Sequence, residues 1–540
     1  MAKKTAKKSR AKPASKRRSQ QSPRGNSAPG QENQHEYALR VRMYRQGLGD
    51  CFLLSFPKPE KGYFHLLIDC GVIQGTPDGA SLMRAVAADI AQTTAGKIDV
   101  LVATHEHWDH LSGFIQAKET FENVEVGQVW LAWTEDPRND SACRLRTERA
   151  HRLAALWIGL SQMHQRLDVD GQARSTLERA SQILSFFGID PAVDKPPPAG
   201  LGVAAAAALK TTGDAMDWLR AKSPAPRFFE PGEQIELEGT GGVQVYVLGP
   251  PTDTAKLFKD LPTSSGRETY GARLAAAERE FFTNALFGDG MEADGLQFYQ
   301  ALRFESKYRI DEVGAQEMPF FRDHYFRPSD GDDEAWRRID ANWTNGAAEL
   351  ALKLDNDTNN TSLALAFELP DGRVLLFPGD AQVGNWESWH VDDNGQPRVW
   401  QVGTRNVTTK SLLNRTVLYK VGHHGSHNAT LRAQGLEMMI DSQLAAMLPV
   451  DVYIAHEKKG WKEMPFEPLL DRLNELAQGR ILQADQDKQA LPGESADRQS
   501  SRLEAIERFL ARVTEANQPI GVATPGKKNV QRPLYFDYLL

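Results

Sequence analysis

Residues 104–110 form a cluster of potential metal ligands, Thr-His-Glu-His-Trp-Asp-His, directly after an apolar run that predicts a strand. In an extended segment, side chains two positions apart point to the same side, so His105 and His107 can bind one ion. Asp109 and His110 follow where the chain turns and can reach a second ion. A loop that is merely rich in histidine is the weaker interpretation, because so many ligating side chains rarely crowd together without a ligand role. The loop therefore predicts a metal site.

The apolar pattern around this loop predicts interleaved strands and helices. Strands are predicted at 37–56 with an internal turn, 63–68, 234–237, 243–248, 362–367, 374–377, 417–421 and 534–540. Helices are predicted within 135–225, at 469–476 ahead of a glycine, and at 500–513. The segment 252–355 is charged and aromatic with few clear periods, and we interpret it as a second insertion. Interleaved strands and helices favour an α/β fold built in layers.

Length and composition favour a globular protein of the cytoplasm. The 540 residues could form two to four domains, or one large domain with insertions. The longest apolar stretch, 203–209, is too short to cross a bilayer, so no membrane contact is expected. Three cysteines without CxxC spacing argue against a disulfide framework and indicate a reducing compartment.

The amino terminus has a different composition from the rest of the chain. Its first 24 residues contain ten Lys or Arg and no acidic residue, whereas the whole chain has 64 Lys+Arg against 71 Asp+Glu. Such a segment cannot bury enough apolar surface to fold, so residues 1–35 are predicted to be a disordered basic tail. A basic arm on an acidic body suggests nucleic acid as a partner through counterion release, although a tail that only improves solubility is equally compatible.

Five motifs along the chain resemble those of the metallo-β-lactamase fold family. The resemblance is to the branch that contains the hydrolase domain of ComEC-type DNA-uptake proteins and the choline-phosphate esterases, of which an HHGS motif is typical. The segment 359–362, Asn-Asn-Thr-Ser, is similar to that branch's Asn-x-Ser element. The resemblance covers roughly 37–115, 230–250 and 358–490. In chain order, the motifs are Gly47-Leu48-Gly49-Asp50, Ile68-Asp69-Cys70-Gly71, the HxHxDH at 105–110, Pro378-Gly379-Asp380 and Gly422-His423-His424-Gly425-Ser426.

The resemblance implies a four-layer αβ/βα sandwich over residues 36–540, with helical insertions at about 135–225 and 252–355. It also implies two divalent ions in one site, and nitrogen and oxygen ligands without cysteine suit zinc or manganese equally. Such a pair of ions would hold a hydroxide nucleophile and the oxygens of an in-line displacement. The implied ligands are His105 and His107 for the first ion, Asp109, His110 and His424 for the second, and Asp380 between both.

The resemblance also implies roles for residues beside the ligands. Asp109 and His423 are expected to act in catalysis, His423 by contacting or protonating the reacting phosphate. Asp69 is expected to orient a ligand histidine, since a carboxylate that accepts the free ring N–H fixes the tautomer. Asn and Ser at turns could bind phosphate oxygens, but they more often satisfy local backbone groups. The residues expected to support the ligands or to contact phosphate are Asp50, Asp69, Asn360 and Ser426.

The chain departs from the family pattern in two places. Many members supply a third histidine to the first ion, but Gly249 lies where that ligand is expected, so this ion would be weakly held or would rely on water. The remaining candidates all lie in the insertions: His151, His164 and His324. A late catalytic histidine of the branch is replaced by Met464, and His456 could take over its role or be an ordinary, partly buried histidine.

The leading functional hypothesis is a stand-alone, metal-dependent phosphodiesterase or nuclease of the cytoplasm. The resemblance further suggests a component of bacterial conflict or phage defence. Metal ligands alone leave the substrate class open, because similar sites hydrolyse lactams, lactones and thioesters. The alternatives are therefore a small-molecule phosphoesterase or lactonase, and a signalling or binding protein that recruits a protein partner and has a vestigial metal site. The complete ligand set argues against the last of these.

Overall fold

The computed structural model describes residues 39–166, 177–178, 180–189, 194, 212–259, 312–326, 340–392, 394–487, 499–516, 522–523 and 531–540. These residues belong to one compact unit, Ala38–Leu540. The predicted basic tail at 1–35 and large parts of both predicted insertions lie outside the described residues.

The described elements alternate between strands and helices, which confirms a mixed α/β fold. The strands are β1 (Arg40–Tyr44), β2 (Phe52–Pro57), β3 (Tyr63–Ile68), β4 (Lys97–Val102), β5 (Glu125–Ala132), β6 (Arg227–Phe229), β7 (Gln234–Glu236), β8 (Gln244–Gly249), β9 (Ala364–Glu368), β10 (Val374–Phe377), β11 (Val399–Val402), β12 (Arg405–Thr408), β13 (Thr416–Lys420), β14 (Ala445–Leu448), β15 (Ile481–Gln483), β16 (Val513–Glu515), β17 (Val522–Ala523), β18 (Gln531–Arg532) and β19 (Tyr535–Leu539).

Helices occur between most of these strands. The α-helices are α1 (Gly79–Thr93), α2 (Trp108–Gln116), α3 (Lys118–Glu122), α4 (Asp140–Arg166), α5 (Thr212–Lys222), α6 (Thr254–Leu257), α7 (Glu312–Glu317), α8 (Pro319–Phe321), α9 (Asp340–Asn359), α10 (Val383–Ser388), α11 (Thr409–Asn414), α12 (Glu467–Ala477) and α13 (Gln499–Leu510). Shorter 3-10 or π turns lie at Trp133–Glu135, Leu184–Phe187, Arg322–Phe326, Gly422–Gly425, Leu436–Met438 and Ile454–Lys458.

Two large sheets organise the described chain. The first has the strand order β16-β19-β1-β2-β3-β4-β5-β6, and the second has the order β15-β14-β13-β10-β9-β8-β7. Their inner faces meet through aromatic side chains: Phe52 lies 5.6 Å from Phe377, and Phe56 lies 6.1 Å from Phe367, between ring centroids. Sheets that pack face to face bury the apolar side chains that alternate along each strand.

Parallel pairing within each sheet brings the motif-bearing loops to strand ends. Strands β3, β4, β5 and β6 run parallel to one another in the first sheet, and β10, β13, β14 and β15 do so in the second. Loops that follow the carboxyl ends of parallel strands lie at one edge of the sheet. The loop with the HxHxDH motif, residues 104–110, follows β4 and is called the metal loop below. The Pro378-Gly379-Asp380 motif, called the Asp380 loop, follows β10, and the HHGS motif follows β13.

Most strand predictions are confirmed, but strand β5 and several short or polar elements were not predicted. The predicted helix at 500–513 ends at Leu510, because the chain continues as β16, which pairs with β19 at the sheet edge. Strand β6, which closes the first insertion, is too short to give an alternating pattern. Helix α9 at the end of the second insertion was not predicted, because its many Asn, Asp, Thr and Gly residues have low helix propensity.

Candidate metal centre

The metal loop is shaped by the end of β4 and the start of α2. After the strand, His107 takes an extended conformation as the N-cap of α2, so Asp109 lies in the first helical turn and His110 beside it. A carboxylate in the first turn is favoured by the partial positive charge of a helix amino terminus. The change from strand to helix thus directs all four side chains of the HxHxDH motif into the interior, where each is fully buried.

Four side chains from three separate loops converge on the position expected for the second ion. Potential ligand atoms of Asp109, His110, Asp380 and His424 all lie within 4.8 Å of one another. His424 Nε2 lies 2.8 Å from Asp109 Oδ2, and His110 Nε2 lies 3.1 Å from Asp380 Oδ2. The other oxygen of Asp109 is buried with no hydrogen-bond partner among the described residues. This set of nitrogen and oxygen donors fits a divalent ion such as zinc.

His105 and His107 face each other at the position expected for the first ion. His105 Nε2 lies 3.0 Å from His107 Nδ1. Burial lowers the pKa of His105 well below its usual value and that of His107 to about 3, so both rings are neutral at pH 7. Neutral imidazole is the form that binds a metal. Two ligand atoms therefore fit the first ion, and the described residues bring no third histidine to them.

In each candidate ligand histidine, one ring nitrogen faces the expected ion and the other, called the remote nitrogen here, faces away from it. Hydrogen bonds to the remote nitrogens orient three of these four histidines. Asp69 Oδ2 lies 2.8 Å from His110 Nδ1 and also accepts a hydrogen bond from the Thr104 hydroxyl. That hydroxyl lies 3.0 Å from His105 Nδ1. His424 Nδ1 donates to the Pro449 carbonyl at 2.7 Å. In each case the Nε2 atom is left for the ion, the arrangement expected of ligand histidines.

The comparison with family models identifies the segment that contains this loop. Residues 47–129 match the metallo-beta-lactamase superfamily. Members of this superfamily are mostly hydrolases that use divalent metals, so the match and the His/Asp cluster together indicate a metal-dependent hydrolase. Searches among curated proteins and among solved structures gave no significant match. None of the described helices is both long and apolar enough to cross a membrane.

Two glycines of the segment that matches the metallo-beta-lactamase superfamily allow its motif loops to pack on the metal loop. A Cβ atom at Gly49 would lie 2.6 Å from the Asp109 carbonyl oxygen, and one at Gly71 would lie 2.5 Å from it. Backbone hydrogen bonds run across the same contact, from Asp50 N to Asp109 O at 2.9 Å and from Cys70 N to His110 O at 2.8 Å. These motifs therefore hold the ligand-bearing backbone in place, which requires close approach without side chains.

Lys420 is a buried cation at the site that the sequence reasoning missed. Its ammonium group pairs with Asp50 Oδ2, lies 3.0 Å from Asp380 Oδ1 and donates to the Gly379 carbonyl at 2.9 Å. Although burial alone would raise it, Lys420 and His110 hold the pKa of Asp380 well below its usual range. A charged residue at the end of an apolar strand, three positions before the first histidine of the HHGS motif, was the available signal. Asp50 therefore supports the centre through Lys420.

His423 lies next to the candidate ligand His424, and its two ring nitrogens have different surroundings. Its Nδ1 is 3.2 Å from the Gln382 amide nitrogen and 2.8 Å from the Ser426 hydroxyl. Its Nε2 is buried without a hydrogen-bond partner among the described residues, and burial lowers its pKa to about 4. If the Gln382 amide donates to Nδ1, the neutral ring has its proton on Nε2, which can then donate a hydrogen bond to a bound group.

The backbone of the HHGS motif is strained. His423 and His424 have φ values of 40° and 51°, in the left-handed region that non-glycine residues rarely adopt. Conformations of this kind cost about 1–3 kcal/mol each and are concentrated at functional sites. The His423 amide donates to Asp380 Oδ1 at 2.8 Å, so the strained turn also connects this motif to the Asp380 loop.

The two predicted phosphate-contact residues have local partners in the structure. Asn360 donates to the carbonyls of Leu257 and Lys259 and accepts from the Asn385 amide, so it supports backbone segments. Ser426 interacts with His423 and donates to a neighbouring amide oxygen at 3.1 Å. Both side chains therefore have the local hydrogen bonds that are common for Asn and Ser at turns, and contact with phosphate stays a prediction.

Two of the histidines considered as substitutes, His324 and His456, have partners of their own. His324 is exposed and lies 2.8 Å from the Phe320 carbonyl oxygen. His456 is half-buried and donates to the Met464 carbonyl at 2.9 Å, which fits an ordinary structural histidine. The side chain of His164 lies outside the described residues.

Aromatic residues of the first insertion cover the His107 side of the centre. Ring centroids of Phe186 and Phe187 lie 5.3 and 5.0 Å from that of His107. Phe186 also stacks on Trp461 at 4.9 Å, with the planes 3° apart. Arg149 of α4 pairs with Glu106, the residue between the two HxH histidines. The insertion is thus connected to the metal loop by both apolar packing and a half-buried ion pair.

Proposed function

We propose that this protein is a metal-dependent phosphodiesterase that acts on nucleic acid. The observation that carries the proposal is the convergence of Asp109, His110, Asp380 and His424 within 4.8 Å, beside the facing nitrogens of His105 and His107. We take the former group to bind a second ion and the latter pair a first ion. Divalent ions bound there would activate water and stabilise the charge that develops on a phosphoryl group.

The chain's own residues perform the supporting steps of this proposed reaction. The Nε2–H of neutral His423 donates to a non-bridging phosphate oxygen and so orients the diester for in-line attack. Asp69 and Thr104 hold the rings of His110 and His105 in their metal-binding orientation. Lys420 keeps Asp380 ionised and directs its Oδ2 towards His110. Asp109 accepts no hydrogen bond at Oδ1 among the described residues, which leaves this atom for the ion or the reacting water.

The choice of a phosphodiester rests on the HHGS motif and the basic amino-terminal segment. A ComEC-like, four-layer hydrolase would act on nucleic acid, a location in the cytoplasm would give it access to that substrate, and a defence role would be consistent with that. The ten cations among the first 24 residues would bring the polyanion to the protein.

Burial of the site favours a second candidate, a small-molecule phosphoesterase or lactonase. His105, His107, Asp109 and His424 have no exposed surface, and Phe186 lies over His107. Enclosed sites lined by aromatic side chains are typical of small ligands. A duplex cannot reach such ligands unless the cover moves, whereas a small ester or a single-stranded end needs less space.

A hydrolysis assay with zinc or manganese tests these alternatives. Substrates are bis(p-nitrophenyl) phosphate, single- and double-stranded DNA and RNA, and an aliphatic lactone. The variants His107→Ala and Asp380→Ala are compared with the wild type and with His324→Ala, an exposed histidine that serves as control. We expect phosphodiester cleavage that both site variants abolish and the control retains. Cleavage of the lactone alone would refute the phosphodiesterase and support the second candidate.

A further inference from the structure

Helix α9, in the second insertion, presents one carboxylate to the metal loop. Asp355 is 5% exposed, and its Oδ2 accepts a hydrogen bond from the Asn359 amide at 3.1 Å. Its Oδ1 has no hydrogen-bond partner among the described residues. The nearest ring nitrogen is His107 Nε2, at 3.8 Å, which is likewise buried and without a hydrogen-bond partner in the described chain. Two complementary atoms therefore face each other about 1 Å beyond hydrogen-bond length.

His107 differs from the other candidate ligand histidines in one respect. The remote nitrogens of His105, His110 and His424 each lie within 3.0 Å of an oxygen: the Thr104 hydroxyl, the Asp69 carboxylate and the Pro449 carbonyl respectively. Among the described residues, the remote nitrogen of His107 has no hydrogen-bond partner and forms a charged contact only with Asp355, at 3.8 Å. Ligand histidines almost always donate their remote N–H to such an acceptor. Asp355 is thus placed to supply the hydrogen-bond acceptor for His107 that the other three histidines already have.

The electrostatic surroundings of Asp355 also call for a cation nearby. Burial, together with the charges of Asp109 and Asp380, raises its pKa well above the usual value. Among the described residues, no Lys or Arg forms an ion pair with it. By contrast, Asp357 on the same helix pairs with Arg152 and Lys353. Ions at the centre would supply the positive charge that Asp355 lacks.

We propose that Asp355 is a positioning residue for the first ion: its carboxylate accepts the His107 Nε2–H when metal binds and holds Nδ1 on the ion. This inference rests on the proposed metal-dependent function. It explains how the first ion is retained with only two histidine ligands. A residue of the inserted helix thus stabilises a site whose own ligands come from the loop after β4.

The test measures metal binding by the full-length, metal-free protein, independently of activity. Zinc is titrated calorimetrically into the wild type, Asp355→Ala, Asp355→Asn and the control Asp357→Asn, with metal content measured after dialysis. Cobalt(II) spectra of the same proteins report the coordination of each ion. Thermal unfolding without metal checks folding, and removal of a buried carboxylate that forms no ion pair with a described Lys or Arg should not lower the melting temperature of the Asp355 variants.

For the wild type we expect two zinc ions per chain. Asp355→Ala should weaken one of them by about 10- to 100-fold, the usual effect of losing a ligand's supporting acceptor, and leave the other unchanged. Asp355→Asn should recover most of the affinity, because its amide oxygen can still accept from His107. Asp357→Asn should bind both ions as the wild type does.

Three results would overturn the inference. Wild-type affinity for both ions in Asp355→Ala excludes a positioning role. If Asp355→Asn is as defective as Asp355→Ala and the cobalt spectrum changes in both, Asp355 is instead a direct ligand. A wild type that binds no divalent metal overturns the inference and the proposed function together. Binding of two ions without phosphodiester cleavage refutes only the proposed substrate, and the comparison of the variants can still be interpreted.

Discussion

Replacement of Lys420 by methionine should destabilise the metal-free protein and strengthen metal binding. The Lys420 ammonium is 1% exposed and uses its three protons on Asp50, Asp380 and the Gly379 carbonyl. Methionine preserves most of the volume but leaves two buried carboxylates without this cation. Breaking a buried ion pair from one side costs about 3–5 kcal/mol, and we expect a loss in that range.

The metal-loaded protein should respond differently. A divalent ion beside Asp380 supplies the positive charge that Lys420 provided, and the ion no longer meets a neighbouring ammonium. We therefore expect Lys420→Met to bind zinc at least about tenfold more tightly, which corresponds to about 1.4 kcal/mol. Zinc should then raise the free energy of unfolding by more in the variant than in the wild type.

Urea unfolding followed by tryptophan fluorescence measures both effects, once in EDTA and once with zinc. The control is Lys410→Met, an exposed lysine on α11 whose loss should change stability by less than about 0.5 kcal/mol. If Lys420→Met unfolds at the wild-type urea concentration in EDTA, the two carboxylates do not depend on this cation. Equal stabilisation by zinc in variant and wild type would show that Lys420 and the ion do not share Asp380.

Three further predictions follow from the same centre. Gly71→Ala should reduce zinc binding measured by calorimetry, because its Cβ would lie 2.5 Å from the Asp109 carbonyl oxygen. The control Gly79→Ala, whose Cβ would have its nearest contact at 3.4 Å, should bind zinc as the wild type does. Equal zinc binding by the two variants would contradict the packing argument. Burial alone would lower the pKa of His110, but nearby carboxylates raise it well above its usual value. The charged form of His110 therefore stabilises the metal-free protein at low pH, and this stabilisation disappears as the pH rises through the raised pKa. Zinc binding at pH 7 should therefore release a proton, measured by calorimetry in buffers of different ionisation enthalpy, and a buffer-independent enthalpy would refute this. Removal of residues 1–35 should weaken DNA binding and reduce the dependence of the affinity on salt concentration in a fluorescence anisotropy titration. Unchanged affinity and salt dependence would show that the tail does not contact DNA.

Local sequence patterns were sufficient for the metal loop and the sheets, but not for contacts between distant segments. The HxHxDH spacing and the apolar runs predicted the loop after β4 and most strands, since both depend on neighbouring residues. Lys420 and Asp355 were missed because their importance arises from partners about 40 and more than 200 positions away. A single lysine or aspartate carries no periodic signal, and α9 itself has weak helix propensity. Asn360 lies in the Asn-x-Ser element that the sequence showed, but only the fold shows that its side-chain amide donates to the Leu257 and Lys259 carbonyls.

The charge balance of the centre explains why protons and metal ions should compete for it. Five carboxylates are buried at the centre, two as candidate ligands (Asp109 and Asp380) and three beside them (Asp50, Asp69 and Asp355). Lys420 pairs with only two of these carboxylates. Carboxylate neighbours raise the pKa values of His110 and His424 against the effect of burial, so protons on these rings offset part of the remaining charge when metal is absent. Divalent ions would replace those protons and satisfy the buried oxygen of Asp109 that has no hydrogen-bond partner among the described residues. Metal occupancy should therefore fall as pH is lowered through the titration of His110 and His424, while His105 and His107, whose pKa values burial lowers, remain neutral. On acidification, the second ion should therefore be lost before the first, which measurement of the metal content across a pH series would detect. Simultaneous loss of both ions would refute this charge balance.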